Sequence, residues 1–188
     1  YTSGSTAKPK GVMLSEENLM ANLDGIQEAF DFFTADDKML LALPLFHAYG
    51  LIIGLYGLSV GATQILVPRF APKTILETIG KEQVTILPLV PTMFTVMKSG
   101  MQKLGVEAFK SLLFFISGGA GLPANLLKEI ETSLDVTILE GYGLTETSPV
   151  LAVNRPDRGS IPGSVGLPLS NVEIKLKALD GSWVEVQS

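Results

Sequence analysis

The sequence has no cysteine. Disulfide scaffolds, zinc-thiolate sites, iron–sulfur clusters and thiol nucleophiles are therefore excluded. It has one histidine, so no site can use two. Charge is also scarce: 18% of the 188 residues are Asp, Glu, Lys or Arg, against about 25% in ordinary domains. The balance is acidic, with 14 basic and 19 acidic side chains and a net charge of −5. General binders of nucleic acid or anionic membrane carry a basic face, so neither class fits. No signal-peptide pattern is visible. What the sequence has in quantity is apolar surface, 46% hydrophobic residues with a mean hydropathy of +0.35. A chain of this length buries roughly 70% of its unfolded surface without help from a disulfide or metal. The excess apolarity means strands buried on both faces, or a surface that a partner covers. The chain opens on Tyr1-Thr2-Ser3-Gly4 with no element leading in, and stops at Ser188 after a hairpin-like Asp180-Gly181. It reads as an internal segment of a longer protein.

Glycine and proline cut the chain into short alternating units. A Gly/Ser/Thr/Lys loop fills residues 1–11. Ser15 predicts an N-cap for a helix through Phe33, with Leu19, Leu23, Ile26 and Phe30 on one face. Strands are expected over residues 39–43, 63–67, 84–87, 112–116 and 136–139. Helices are expected over 50–60, 72–81, 91–99 and 123–133, with Pro91 in a first turn. This βαβα rhythm predicts an α/β fold, a mostly parallel sheet with covering helices. After Asn171 the pattern alternates, over 172–176 and 183–186, which predicts a closing antiparallel hairpin. Residues 1–168 are expected to form the core, and 169–188 the start of a following β subdomain.

Four segments imitate other functions. Residues 39–68 carry no charge, long enough for a membrane span, but Pro44 and Gly61 break the run. Gly57-Leu58-Ser59-Val60-Gly61 fits a hydrolase nucleophile elbow, yet a helical segment precedes it and the only histidine lies earlier. Gly119-Ala120-Gly121-Leu122-Pro123-Ala124 fits a relaxed dinucleotide fingerprint, with Glu140 about 20 residues on. A tight turn of small residues explains it equally well. The first loop resembles a phosphate loop, but Pro9-Lys10-Gly11 stands where a Walker motif needs Gly-Lys-Ser/Thr.

The loops themselves offer chemistry. Residues 2–11 hold four hydroxyls, two lysines and two glycines. Hydroxyls and backbone N–H groups donate to phosphate oxygens, glycine permits close approach, and lysine adds positive charge. Glu140-Gly141-Tyr142-Gly143-Leu144-Thr145-Glu146-Thr147 follows a strand end, where open α/β sheets bind ligands. Tyr142 offers an aromatic face, Thr145 a hydroxyl, and Glu146 a hard oxygen suited to magnesium. His47 stands between a strand and a helix among apolar residues, either a structural histidine or a hydrogen-bonding group beside the other loops.

In this order, these loops resemble the adenylate-forming superfamily of acyl-CoA synthetases, luciferases and peptide-synthetase adenylation domains. Residues 1–11 resemble its phosphate-loop signature, and 43–50 its acyl-pocket histidine segment. Ser117-Gly118-Gly119-Ala120 resembles its adenine-side turn, 140–147 its Tyr-Gly-x-Thr-Glu signature, and 162–168 the segment that follows. The segments Leu-Pro-Leu-Phe-His and Glu-Gly-Tyr-Gly-Leu-Thr-Glu look most like bacterial long-chain fatty acyl-CoA synthetases. The resemblance implies a fragment of a large adenylation domain that joins a fatty acid to coenzyme A through an acyl-adenylate, using ATP and magnesium. It implies that Thr2, Ser3, Gly4, Ser5, Thr6 and Lys10 hold the β- and γ-phosphates. Tyr142 would stack on adenine against Gly118, Gly119 and Ala120, with Gly141 beside it. Thr145 would meet the α-phosphate, Glu146 would coordinate magnesium, and His47 and Gly143 would border the acyl carboxylate. His47, Thr145, Glu146 and Lys10 are thus the expected catalytic set. The acyl tunnel is expected from residues 45–55 and 90–97. The family's ribose-binding aspartate, hinge and mobile C-terminal domain, with its adenylation lysine, fall outside this sequence. Ala7 departs from the family's usual glycine. The implied setting is cytoplasmic, compatible with peripheral contact at the inner membrane face, without nucleic acid and without a transmembrane span. A ligase for another acid, or with a carrier-protein acceptor, shares the same loops. An NAD-type fragment or a non-catalytic acyl-binding module remain the more distant alternatives.

Overall fold

The computed structural model describes residues 1–2, 8–159 and 161–184. Five parallel strands form its centre: β1 (Lys38–Leu41), β2 (Thr63–Leu66), β3 (Ile86–Leu89), β4 (Phe114–Ser117) and β5 (Thr137–Gly143). Their spatial order is β2-β1-β3-β4-β5. Two antiparallel strands, β6 (Val150–Val153) and β7 (Leu167–Pro168), extend the sheet past β5. A separate hairpin pairs β8 (Leu176–Lys177) with β9 (Trp183–Val184). Five helices cover the sheet: α1 (Glu16–Ala29), α2 (Ala48–Ser59), α3 (Pro72–Glu82), α4 (Pro91–Leu104) and α5 (Ala124–Leu134). The expected α/β class with a mostly parallel sheet and an antiparallel hairpin is what the structure shows.

Period-two alternation assigns the two faces. Met39, Leu41, Ile86, Phe114, Ile116 and Leu139 point to one side and pack with α1 and α2, through Leu23, Ile26, Ile52, Ile53 and Tyr56. Leu40, Ala42, Leu87, Leu89, Phe115 and Ile138 point to the other, against α3, α4 and α5. Because β2 lies outside β1 while β3 to β5 lie on its other side, the direction of travel reverses at β1. A right-handed crossover then places α2 on one face and the later helices on the other. The strands are buried on both sides, which accounts for the high mean hydropathy.

Several boundaries differ from the sequence reading. Ser15 caps α1 as expected: its Oγ accepts from Asn18 N (3.2 Å), while Asn18 Oδ1 accepts from Ser15 N (3.0 Å). The helix ends at Ala29 rather than Phe33, because Phe30 leaves helical geometry and residues 30–33 turn inward. Phe30 and Phe33 are both buried. β3 starts at Ile86, not at residue 84, because Val84 N donates to Ile79 O (3.0 Å) and is spent on closing α3. β3 then runs through Pro88, which has no N–H to give. Its ladder with β1 is confined to Met39↔Ile86. The long uncharged run becomes α2 plus β2, and among the described residues no helix is long and apolar enough to cross a membrane. The final hairpin is shorter than expected, pairing only Leu176↔Val184 and Lys177↔Trp183; residues 185 and 186 lie outside the described residues. β6 and β7 were not anticipated. Both are short, and their burial comes from β5 beside them rather than from an alternating pattern.

Candidate active site

A cavity of about 450 Å³ opens at the carboxyl ends of the central strands and runs beneath α1 and α2. Its mouth gathers residues from four separate segments: Thr2, His47, Ser117 to Gly119, and Gly141 to Glu146. Its inner wall is apolar, with Phe30, Phe33, Met39, Ile53, Tyr56 and Phe114 prominent. Open α/β sheets bind ligands at strand carboxyl ends beside a reversal of strand order, and this cavity sits there.

The signature expected as a loop is partly strand. β5 continues through Gly143 and pairs antiparallel with β6, with an irregular register between Tyr142 and Gly143. A Cβ on Gly143 would run into Pro149 O, so this crossing tolerates no side chain. Leu144 N donates to Pro149 O (2.9 Å) and to Thr147 Oγ1 (3.1 Å), and Thr147 Oγ1 donates to Pro149 O (2.7 Å). These bonds fold residues 145–147 into a single 3-10 turn that sets Thr145 and Glu146 on the mouth. Thr147 is a positioning residue that the sequence reading left unassigned. Glu146 and Tyr142 are both exposed, with their polar ends free for a ligand.

Gly118 needs the absence of a side chain for a different reason. A Cβ there would lie 3.0–3.3 Å from ring atoms of Tyr49. The Tyr49 ring therefore lies against the turn, and its hydroxyl donates to Ile116 O (3.1 Å). Burial pushes this phenol up, so it stays a neutral donor. Ser117 is 1% exposed, and its Oγ, on the cavity wall, has no hydrogen-bond partner among the described residues. A buried hydroxyl left so suits a polar ligand that comes to meet it. Gly119 follows in the left-handed region, with φ of 82°.

The structural role anticipated for His47 is the one the fold shows. This residue is the N-cap of α2, and its Nδ1 accepts from Tyr49 N (3.2 Å). That leaves Nε2 as the ring's remaining polar atom, on an exposed side chain at the mouth. Glu140 is different. It is 5% exposed, its Oε2 accepts from Leu122 N (3.0 Å), and its carbonyl accepts from Asn154 N (2.8 Å). The acid at dinucleotide spacing is thus tied through one oxygen to the turn before α5, while its buried Oε1 has no partner among the described residues. Asn154 Nδ2 also donates to Ser164 O (2.7 Å), which fastens the 162–168 segment beside β5. The apparent nucleophile elbow is the end of α2, where Ser59 Oγ donates to Tyr56 O (2.8 Å).

Thr2 and Lys10 form an antiparallel bridge, Thr2 N to Lys10 O at 2.9 Å and Lys10 N to Thr2 O at 3.0 Å. The bridge joins the two ends of the hydroxyl-rich loop at the mouth. Ser3, Gly4, Ser5, Thr6 and Ala7 lie outside the described residues. Lys10 and Ala120 are exposed and neighbour the cavity's Thr2 and Gly119 without lining it. Of the expected tunnel segments, 45–55 contributes His47, Ala48, Tyr49 and Ile53. None of residues 90–97 lines the cavity, because α4 turns Phe94 and Met97 to the opposite face of the sheet. Phe30 and Phe33 take that place, from a segment the sequence assigned to helix.

A match to the family described as AMP-binding enzyme covers residues 1–186. The chain belongs to this family. Among similar proteins, a long-chain-fatty-acid–CoA ligase of Bacillus subtilis is 36% identical over 172 residues, covering 89% of this chain and 30% of its own length. The mitochondrial malonate–CoA ligase of Homo sapiens is 30% identical over 190 residues, covering 94% of this chain and 33% of its own. The solved structure of o-succinylbenzoate coenzyme A synthetase from Bacillus subtilis, in complex with ATP and magnesium ion, superposes with a TM-score of 0.83 at 31% identity. It covers 98% of this chain and 38% of that one. The AMP-binding relatives are thus acyl-CoA ligases with varied acids, and the chain spans about a third of their length.

The mouth fits a magnesium nucleotide on its own chemistry. Magnesium is held by one or two carboxylates together with phosphate oxygens, and Glu146 offers one such carboxylate. Among the described residues no cluster of three His, Cys, Asp or Glu offers an all-protein metal cage.

Proposed function

We propose that this chain is the nucleotide- and acid-binding part of an ATP-dependent fatty acyl-CoA ligase, working with the remaining two thirds of such an enzyme. One observation carries the reading: a single cavity is polar and glycine-rich at the strand ends and apolar further in. Among the described residues the only side chain of fixed charge in that cavity is Glu146, at the mouth. A second carboxylate, such as malonate's, would find no Lys or Arg among the described lining residues to pair with, at a cost of several kcal/mol where water is excluded. An uncharged hydrocarbon tail pays no such cost.

In this reading an acid oxygen attacks the α-phosphorus of ATP, pyrophosphate leaves, and the thiol of coenzyme A then displaces AMP to give the thioester. The first step brings two anions together, so positioning and charge stabilisation carry it. Thr2 and Lys10, with Ser3, Gly4, Ser5 and Thr6 between them, take the β- and γ-phosphates. Tyr142 packs on the base, with Gly118, Gly119 and Ala120 across the slot and Gly141 beneath. Thr145 donates to the α-phosphate. His47 Nε2 and Gly143 border the acid's carboxylate. Glu146 would hold magnesium, which would supply positive charge against the phosphates. Residues 1–168 serve as the core of the AMP-binding domain and 169–188 as the opening of a β subdomain; the separate β8–β9 sheet supports that division.

The test is carboxylate-dependent ATP–pyrophosphate exchange by the full-length ligase that contains this chain. Fatty acids should support exchange and malonate should not. Glu146→Ala should lower it by ~10–100-fold, with a matching rise in the magnesium needed. Exchange with malonate above that with any fatty acid would overturn the choice of acid. Unchanged exchange in Glu146→Ala would remove its metal role.

A further inference from the structure

The cavity has a floor, and its depth can be read from two independent rulers. The first is the sheet. Met39 pairs with Ile86, and Ile86 with Phe114, so these three make one row across β1, β3 and β4 at their amino-terminal ends. All three line the cavity, as do Ile116, Ser117 and Gly118 at the other end of β4. From Phe114 to Gly118 is four positions, about 13 Å along an extended strand. The second ruler is α2, which returns along the sheet from mouth to floor. Tyr49 lies at the mouth, against Gly118, and Tyr56 lies seven positions on, about 10 Å along a helix.

The floor is closed by rings. Tyr56 stands 5.3 Å from Phe33, centroid to centroid, and its hydroxyl donates to Phe30 O (3.0 Å). Phe30 stacks on Phe114 at 6.0 Å, and Phe32 meets Phe114 edge-on at 5.4 Å. Phe33, Tyr56, Phe114 and Phe30 are between 2% and 5% exposed, so no opening to solvent lies beyond them. The chain before β1 builds this plug by leaving helical geometry at Phe30, which turns two phenylalanines under the end of α2. An extended hydrocarbon chain advances roughly 1.25 Å per carbon, from bonds of about 1.5 Å, so 10–13 Å accepts about eight to ten carbons.

Resting on the ligase reading above, we propose that this aromatic floor sets the size of the acid. The chain takes straight-chain monocarboxylates of up to about eight to ten carbons and excludes long-chain acids. Phe33, Met39 and Tyr56 are the residues that fix the limit. Ile53, on the wall between mouth and floor, governs the width of the path.

The experiment is a length profile of ATP–pyrophosphate exchange by the full-length ligase, from butyrate through octanoate and decanoate to hexadecanoate. Exchange should peak at octanoate or decanoate and fall by ~10-fold or more at hexadecanoate. Phe33→Ala and Met39→Ala deepen the cavity and should move the peak to longer acids. Ile53→Phe narrows it and should move the peak to shorter ones. The wild-type profile decides even if a floor variant fails to fold. A peak at hexadecanoate overturns the floor and leaves the ligase reading standing, as does an unchanged profile in folded Phe33→Ala and Ile53→Phe. Exchange with no acid at all, in folded protein, overturns the ligase reading and the size limit together.

Discussion

Asn22 shows how much a single buried amide can hold. It is 5% exposed on α1, its Nδ2 donates to Val150 O (2.7 Å), and its Oδ1 accepts from Val150 N (3.1 Å). The side chain thus treats β6 as a neighbouring strand would and satisfies both backbone groups of Val150. Asn22→Ala leaves that donor and acceptor without partners and should cost about 1–3 kcal/mol, read as a lower urea midpoint of the chain. The apolar stripe of α1, through Leu23 and Ile26, was legible from spacing. Asn22 was not, because nothing local links position 22 to position 150. Glu140 makes the same point in reverse. Its spacing from Gly119 suggested a ribose ligand, while one of its carboxylate oxygens is taken by Leu122 N. Tyr142, Thr145 and Glu146 were legible as a chemically loaded cluster; that Thr147 folds their turn depends on bonds to Pro149 that no spacing rule encodes.

Elements starting on a local signal were placed well. Ser15, Pro72 and Pro91 each mark a helix start, because capping and proline geometry are settled within one turn. Strand ends were placed less well, because they depend on which neighbour is paired. β3 lost Val84 to the closing of α3, and β5 gained Gly141 to Gly143 from β6. Between elements, α4 and α5 are joined by Lys98 Nζ to Glu129 Oε2 (3.0 Å) and Gln102 Nε2 to Glu129 Oε1 (3.2 Å). These donors, Lys98 foremost, hold the Glu129 carboxyl below the usual carboxylate range. A lowered carboxyl contributes stability above its unfolded value and loses it as pH falls through the folded one. Glu129→Gln should therefore melt at a slightly lower temperature than wild type at neutral pH. The gap should close as acid takes the pH below that lowered value, which thermal melts across acid pH will show. The effect is small, because the pair is exposed to solvent.

The whole molecule divides its work between two faces. Phe115 is fully buried on the α3–α5 side, 5.4 Å from Phe94 and 6.3 Å from Phe109. Phe115→Ala should cost about 3–5 kcal/mol, a large share of the ~5–15 kcal/mol that holds a typical domain. The same change should leave the acid-length profile of the surviving folded enzyme unaltered, since that face does not border the cavity. The sheet and its two cores were legible, because alternation along buried strands states which residues face together. The meeting of residues 2, 47, 118, 142 and 146 at one mouth was legible only by resemblance, since it depends on strand order. Locating the cavity on a single face has a consequence for diversification. Substitutions at Phe33, Met39 or Ile53 can retune what is bound at the cost of packing in one core only, leaving the packing of the opposite side untouched. Ligases named for long-chain fatty acids, malonate and o-succinylbenzoate share this frame. A frame that keeps its cavity in one core and leaves the other unbroken separates the residues that meet the ligand from half of those that hold the fold.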